Sequence, residues 1–341
     1  MKLIRYLLFP VVPIYYMVTW LRNQLYENGI KKSTAYDFPV ICVGNLSVGG
    51  TGKTPMIEYL IQLLRADYQL ATLSRGYKRQ TQGFIIADQS ATANTIGDEP
   101  FQFYQKFEDI IVSVDADRVH GIGKLMNLKT PPDVILLDDA YQHRKVRAGL
   151  NILLTSYDDL YVDDILLPTG NLREPRQGAK RADIIVVTKA PQALSIDKKQ
   201  AIINRINPLA RQAVFFGGIG YSDVVKNAEA TISLDNLKHK PFTLVTGIAN
   251  PKPLVAHLRA QGLNFVHLKY KDHHEFQANE IETLKRKGLI VTTEKDMVRL
   301  QSHFKPSEDL YYLPIEMVID RHAEFDNLIQ QFLKWTQKNL G

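Results

Sequence analysis

The chain has 341 residues, a formal net charge of +6 and 45% hydrophobic residues, enough for two ordinary domains with buried cores and no need of disulfides or a structural metal. Its single cysteine, Cys42, sits inside an apolar run, which excludes a disulfide scaffold and fits a reducing compartment. The modest positive excess suits an acidic partner such as a nucleotide, a phosphorylated substrate, nucleic acid or anionic lipid, and does not choose among them.

The N-terminal stretch 3–21 is mostly apolar and aromatic, with Lys2 and Arg5 at its head and Arg22, Lys31 and Lys32 behind it. No small-residue cleavage site follows, which argues against a signal peptide. A spanning helix needs about 20 apolar residues, and Arg5, Pro10 and Pro13 interrupt this one. A segment lying in the membrane interface, aromatic rings at headgroup level and basic flanks on anionic lipid, is favoured. A helix packed on the protein's own core remains the plain alternative.

The apolar run 40–43 leads straight into Gly44-Asn45-Leu46-Ser47-Val48-Gly49-Gly50-Thr51-Gly52-Lys53-Thr54-Pro55, and a helical run 56–64 follows. Strand, glycine-rich loop and helix in this order form a phosphate cradle: backbone amides approach the anion, Lys53 reaches the β- and γ-phosphates, and the Thr54 hydroxyl suits magnesium. Ser47 stands where the general motif has its first glycine, so the freedom is carried by Gly44, Gly49 and Gly50. Ser47, Val48, Gly49, Gly50, Thr51, Gly52, Lys53 and Thr54 are the expected nucleotide-binding residues.

Beyond the loop, apolar runs at 70–73, 110–114, 134–137, 151–155 and 184–187 alternate with helical or loop segments. That is the pattern of a mostly parallel sheet covered on both faces, whose ligands sit past the strands' carboxyl ends. Gly97-Asp98-Glu99-Pro100 opens an aromatic helix, where an acid satisfies backbone amides. Asp115-Ala116-Asp117-Arg118 follows the third run, placing Arg118 where a guanidinium suits an anion. Asp138 and Asp139 end the 134–137 run, with Asp138 the first choice for magnesium and Asp139 nearer substrate or just behind the metal's own ligands; Gln142, His143 and Arg144 just after them read equally as site or surface residues.

The turn-rich stretch 167–175 contains Asn171 and Arg173 and reads as a loop. Thr188-Lys189-Ala190-Pro191 has Pro191 where a guanine-reading aspartate would stand, so guanine specificity is not expected. The glycines Gly217, Gly218 and Gly220 break the pattern and suggest a boundary. A second α/β unit then has strands at 242–246, 265–268 and 289–292 and a closing amphipathic helix at 325–340. In it, Lys271-Asp272-His273-His274 offers either a metal site or a base with its orienter, and Glu294, Lys295 and Asp296 could contact adenine, ribose or the other domain. The expected layout is 1–33 as an apolar membrane-associated segment, 34–220 as a nucleotide-binding core and 221–341 as a smaller closing domain.

As a set, these motifs, together with Ser74-Arg75-Gly76-Tyr77 and Gly247-Ile248-Ala249-Asn250-Pro251, closely resemble the tetraacyldisaccharide 4'-kinases of Gram-negative bacteria over nearly the whole chain, and Ser47 is in keeping with that family. The resemblance implies an α/β, P-loop NTPase-like doubly wound sheet with a second, smaller α/β domain and an N-terminal membrane-associated helix. It implies transfer of the ATP γ-phosphate to the 4'-hydroxyl of the lipid A disaccharide precursor at the cytoplasmic face of the inner membrane, with ATP as co-substrate and Mg2+ as cofactor. Neither nucleic acid nor an obligatory protein partner is expected. Asp98 becomes the base for the sugar hydroxyl, paired with His273 in preference to His274; Lys53 is carried over with them as catalytic. Thr54, Asp138, Asp139 and Gln142 fall around the metal, and Arg118, His143, Asn171 and Arg173 are carried over as substrate or nucleotide contacts. A membrane-associated nucleotide hydrolase acting as a switch is the competing reading, and in it Asp98 and His273 have no purpose.

Overall fold

The computed structural model describes residues 5, 7–191, 193–272, 274–305 and 308–338. In chain order its first part holds α1 (Val12–Glu27), β1 (Val40–Asn45), α2 (Lys53–Leu64), β2 (Leu70–Ser74), the short β3 (Ile85–Ile86) and α3 (Asp98–Lys106). Next come β4 (Ile111–Val114), α4 (Arg118–Met126), β5 (Val134–Asp138), β6 (Leu150–Ser156), β7 (Ile184–Thr188), α5 (Ile196–Ile206) and β8 (Ala213–Tyr221). The central strands β1, β2, β5 and β7 are buried at every position, which is why they read as unbroken apolar runs rather than alternating ones.

A second series follows: β9 (Val224–Lys226), β10 (Thr231–Ser233), β11 (Phe242–Thr246), α6 (Lys252–Ala260), β12 (Phe265–Lys269), α7 (Ala278–Lys285), β13 (Ile290–Thr293), α8 (Glu294–Leu300) and β14 (Leu310–Leu313). The chain ends its described course with β15 (Ile315–Ile319) and α9 (His322–Lys338). The larger sheet has nine strands in the order β15-β8-β7-β6-β1-β5-β2-β4-β3. Its interior pairs are parallel, and only the two edge pairs, β8 with β15 and β4 with β3, are antiparallel. The smaller sheet has six strands, β10-β9-β14-β13-β11-β12.

Helices α2, α3 and α9 cover one face of the large sheet through Met56, Leu60, Phe103, Phe325, Ile329 and Leu333. Ile122 and Leu125 of α4, Ile206 of α5, and Tyr141 and Tyr161 fill the other.

Two sequence expectations need correction. The glycine cluster does not interrupt the sheet: it lies within the nine-residue strand β8. The glycines make room for the antiparallel neighbour, since a Cβ on Gly217 would lie 2.8 Å from Met317 Sδ and one on Gly220 would lie 2.9 Å from Val318 Cγ2. The closing helix, assigned from sequence to the second domain, packs instead on the large sheet beside α2. The smaller sheet is thus an insertion between β8 and β15.

Helix α1 turns Val12 and Tyr15 toward the core and buries Asn23, leaving Ile14, Met17, Val18, Trp20 and Leu21 exposed. Among the described residues no helix is long and apolar enough to cross a membrane.

Candidate active site

The loop between β1 and α2 is shaped by its glycines. Gly52 caps α2 at φ 84° and Gly49 lies at φ 116°, backbone states that residues with a Cβ avoid. Gly44 allows a different close approach: a Cβ there would lie 2.6 Å from the Cβ of Tyr141, so the start of the cradle rests against the segment just past β5. Val48 and the two following glycines stay exposed, whereas Ser47 and Thr51 are buried. The Thr51 carbonyl accepts from the Thr188 hydroxyl at 2.8 Å, and the Lys189 ammonium donates to the Gly50 carbonyl.

Asp138 and Asp139 leave β5 in opposite electrostatic states. Burial, then the nearby Glu99, push the Asp138 carboxyl up to about 7 against the pull of Lys53. Its Oδ2 accepts from Ser74 Oγ at 3.1 Å, while its buried Oδ1 has no hydrogen-bond partner among the described residues. Burial also opposes the charge on Asp139, but Lys53 and then Arg173 outweigh it and hold that carboxyl below its usual range. Asp139 Oδ1 lies 2.8 Å from Arg173 and 3.9 Å from Lys53 Nζ.

An orphaned, buried carboxylate oxygen beside the Lys53 helix suits a divalent cation, which would relieve the desolvation penalty. Among the described residues no group of three or more His, Cys, Asp or Glu could hold a metal alone. Magnesium needs no such group, since it takes one or two protein carboxylates and completes its shell with water and phosphate oxygens. Thr54 stands at the head of α2 and could supply a hydroxyl. Gln142 donates its amide to the Asn45 carbonyl at 2.8 Å and to buried Glu174 at 3.0 Å.

The 167–175 segment is part of the cradle rather than a free loop. Val48 N donates to Asn171 O at 2.8 Å, Arg173 N donates to Leu46 O at 2.7 Å, and Ser47 bridges Leu172. The Arg173 guanidinium spans Asp139 and Asn45. Helix α1 is stitched to the same segment: Tyr15 donates to the Arg173 carbonyl at 3.0 Å, Asn23 to Glu174 at 2.8 Å, and Arg5 to Asn171 Oδ1 at 3.1 Å. Arg118, expected at the ligand-facing edge, is only 2% exposed. It donates to the carbonyls of Asp115 and Ala116 and braces the Asp138 carbonyl at 3.4 Å. His143 is half-buried, with Nε2 3.7 Å from Asp117. Burial, then Arg118, lower its pKa.

Asp98 is the first residue of α3. Its Oδ2 accepts from Nε of Arg299, on α8 of the inserted domain, at 3.1 Å and from a terminal nitrogen of the same guanidinium. Asp98 and Arg299 line an interdomain cavity of about 1000 Å3 together with Tyr77, Phe101, Gln105 and Tyr312. His273 lies outside the described residues. His274 stacks on Tyr270 and pairs with Glu280 at 2.9 Å, a place inside the second domain.

Of the three open readings for the 294–296 run, contact with the other domain is the one displayed, by Glu294 and Lys295. Glu294 is buried and meets Lys106 at 2.8 Å, and the same ammonium meets Glu58 of α2 at 2.6 Å. Lys295 Nζ lies 3.9 Å from Glu99. Asp296 is fully buried, accepting from Gly247 N at 2.8 Å and Thr293 Oγ1 at 2.7 Å. Arg299 and Lys106, which follow no strand end, escaped the sequence reading; the three-residue spacing from Asp296 to Arg299 was the one available signal.

A doubly wound sheet, a Gly-Lys-Thr cradle at a helix N-terminus and a strand-end aspartate define a P-loop phosphotransferase using a nucleoside triphosphate. Comparison with known proteins narrows the class. The model of the family described as tetraacyldisaccharide-1-P 4'-kinase (LpxK) matches residues 4–334, and the chain belongs to this family. A tetraacyldisaccharide 4'-kinase of Flavobacterium johnsoniae is 51% identical over 338 residues, covering 98% of each chain. One from Bacteroides fragilis is 44% identical, covering 97% of this chain and 93% of the relative. The crystal structure of LpxK from Aquifex aeolicus in complex with ATP superposes with a TM-score of 0.79 at 29% identity, covering 97% of this chain and 99% of that one. The chain is an ATP-dependent kinase.

Proposed function

We propose that this protein transfers the γ-phosphate of ATP to the 4'-hydroxyl of tetraacyldisaccharide 1-phosphate, the lipid A precursor, at the cytoplasmic face of the inner membrane. One observation carries the reading beyond family membership: the helix exposing Ile14, Met17, Val18, Trp20 and Leu21 is bonded through Tyr15 and Asn23 to the segment that lies against the phosphate cradle. An apolar face fixed to a phosphate site suits an acceptor whose acyl chains stay in the bilayer.

In this reading Lys53 and the loop amides hold the phosphates, and Thr54 and Asp138 hold magnesium, which when bound offsets the charge on the phosphate oxygens. Asp139 fixes Arg173 and Lys53. Asp98 takes the proton of the attacking hydroxyl with His273 as its partner, so that catalysis of a loose phosphoryl transition state rests on positioning and charge.

The test is transfer of labelled γ-phosphate to purified tetraacyldisaccharide 1-phosphate in detergent micelles. Asp98→Ala and Lys53→Ala are each expected to reduce labelled lipid by about 10²-fold or more. Nucleotide hydrolysis by the native protein with no labelled lipid would favour the switch instead.

A further inference from the structure

We infer that Arg299 is a positioning residue for this phosphoryl transfer, presenting the Asp98 carboxylate to the acceptor hydroxyl; the inference rests on the reading of Asp98 as the base.

Asp98 occupies the first position of α3, and Arg299, from the inserted domain, presents two guanidinium nitrogens to its Oδ2. The guanidinium is itself fixed from behind, because its remaining terminal nitrogen donates to Asp296 Oδ1 at 3.3 Å. Asp296 cannot drift: it is fully buried, and its Oδ2 is held by Gly247 N and Thr293 Oγ1. The Arg299 side chain is only 9% exposed. A planar fork between two carboxylates, one anchored in a core and the other facing the cavity, transmits the rigidity of the first to the second.

The far end of α3 is fixed as well. Lys106, in its last turn, sits between Glu58 at 2.6 Å and Glu294 at 2.8 Å, tying the base-bearing helix both to the cradle helix α2 and to α8. The fork thus acts on a carboxylate whose helix is held at its far end. Lysine, a compact charge without the fork, can keep the ion pair but not its plane.

The experiment compares the native full-length chain with Arg299→Met, Arg299→Lys, Asp98→Asn and the double variant Asp98→Asn/Arg299→Met. It uses the micellar transfer assay with separate determination of kcat and of KM for ATP. Arg299→Met is expected to lower kcat about 10²-fold, the scale of loss when a reacting group is displaced by about 1 Å, and to leave KM for ATP within about twofold. Arg299→Lys should recover part of the loss, and the double variant should be no slower than Asp98→Asn alone, because Arg299 acts through Asp98.

Native kcat in Arg299→Met, a loss confined to KM for ATP, or losses that multiply in the double variant would each overturn the inference while leaving Asp98 as base. Native turnover in Asp98→Asn would remove that reading and this inference with it. Should Arg299→Met fail to fold, Arg299→Lys and Asp98→Asn/Arg299→Lys make the same comparison.

Discussion

Single side chains in this site are governed by burial set against nearby charge, and the balance differs between neighbours. Glu58 is the clearest case outside the catalytic groups: burial, then Glu294, push its carboxyl up to about 7, although Lys106 pulls the other way. A carboxyl whose pKa rises on folding contributes stability below its unfolded value, near 4.5, and that contribution fades as pH rises toward about 7. Glu58→Gln lacks the fading term. Its melting temperature relative to native should therefore climb between pH 5 and pH 7 and level off above, as thermal unfolding across that range would show; a difference independent of pH would refute the assignment. Gly44 offers a steric prediction. An alanine Cβ 2.6 Å from the Tyr141 Cβ must displace backbone on one side, so Gly44→Ala is expected to cost about 1–3 kcal/mol, measurable by denaturant unfolding. The cradle glycines and the strand-end acids were legible in the sequence because their chemistry demands a fixed local order. Arg299 was not, because its importance arises from what the fold places opposite it.

Helices and strands announced themselves to the extent that burial is uniform along them. Strands β1, β2, β5 and β7 are buried at every position and were read within two residues of their observed ends. Strand β8 was missed because its glycines resemble a break, whereas they accommodate Met317 and Val318 of β15. Helix α1 is amphipathic in an unusual sense, with its more apolar face turned outward. Tyr15, Thr19 and Asn23 are turned inward while Met17, Val18 and Leu21 face out. Replacing Met17, Val18 and Leu21 together by serine removes apolar area from water's reach on no core surface. The triple variant should melt within about 1 kcal/mol of native stability yet lose most co-sedimentation with anionic lipid vesicles. Undiminished sedimentation would mean that another surface docks the protein.

At the scale of the molecule, the sequence showed two α/β units in series but not that one is inserted into the other. An amphipathic stripe states that a helix must bury one face; it does not name the sheet. In α9 that face is spent on the nucleotide-binding layer, where Phe325 meets Phe215 and Tyr59 edge-on at 5.3 and 5.6 Å. Phe325→Ala should cost about 3–5 kcal/mol and lower the melting temperature of the ATP-binding unit, an outcome that excludes α9 from being an appendage of the smaller domain.

The insertion also governs how that domain can move. The chain leaves the large sheet at Tyr221 and re-enters it at Ile315, and these two residues are register partners on adjacent strands. The inserted domain therefore hangs from two pins set side by side, not from one flexible tether. Such a mounting resists twisting and sliding, so that any motion of the inserted domain would be a swing about the line through the pins, carrying α8 along one arc relative to α3.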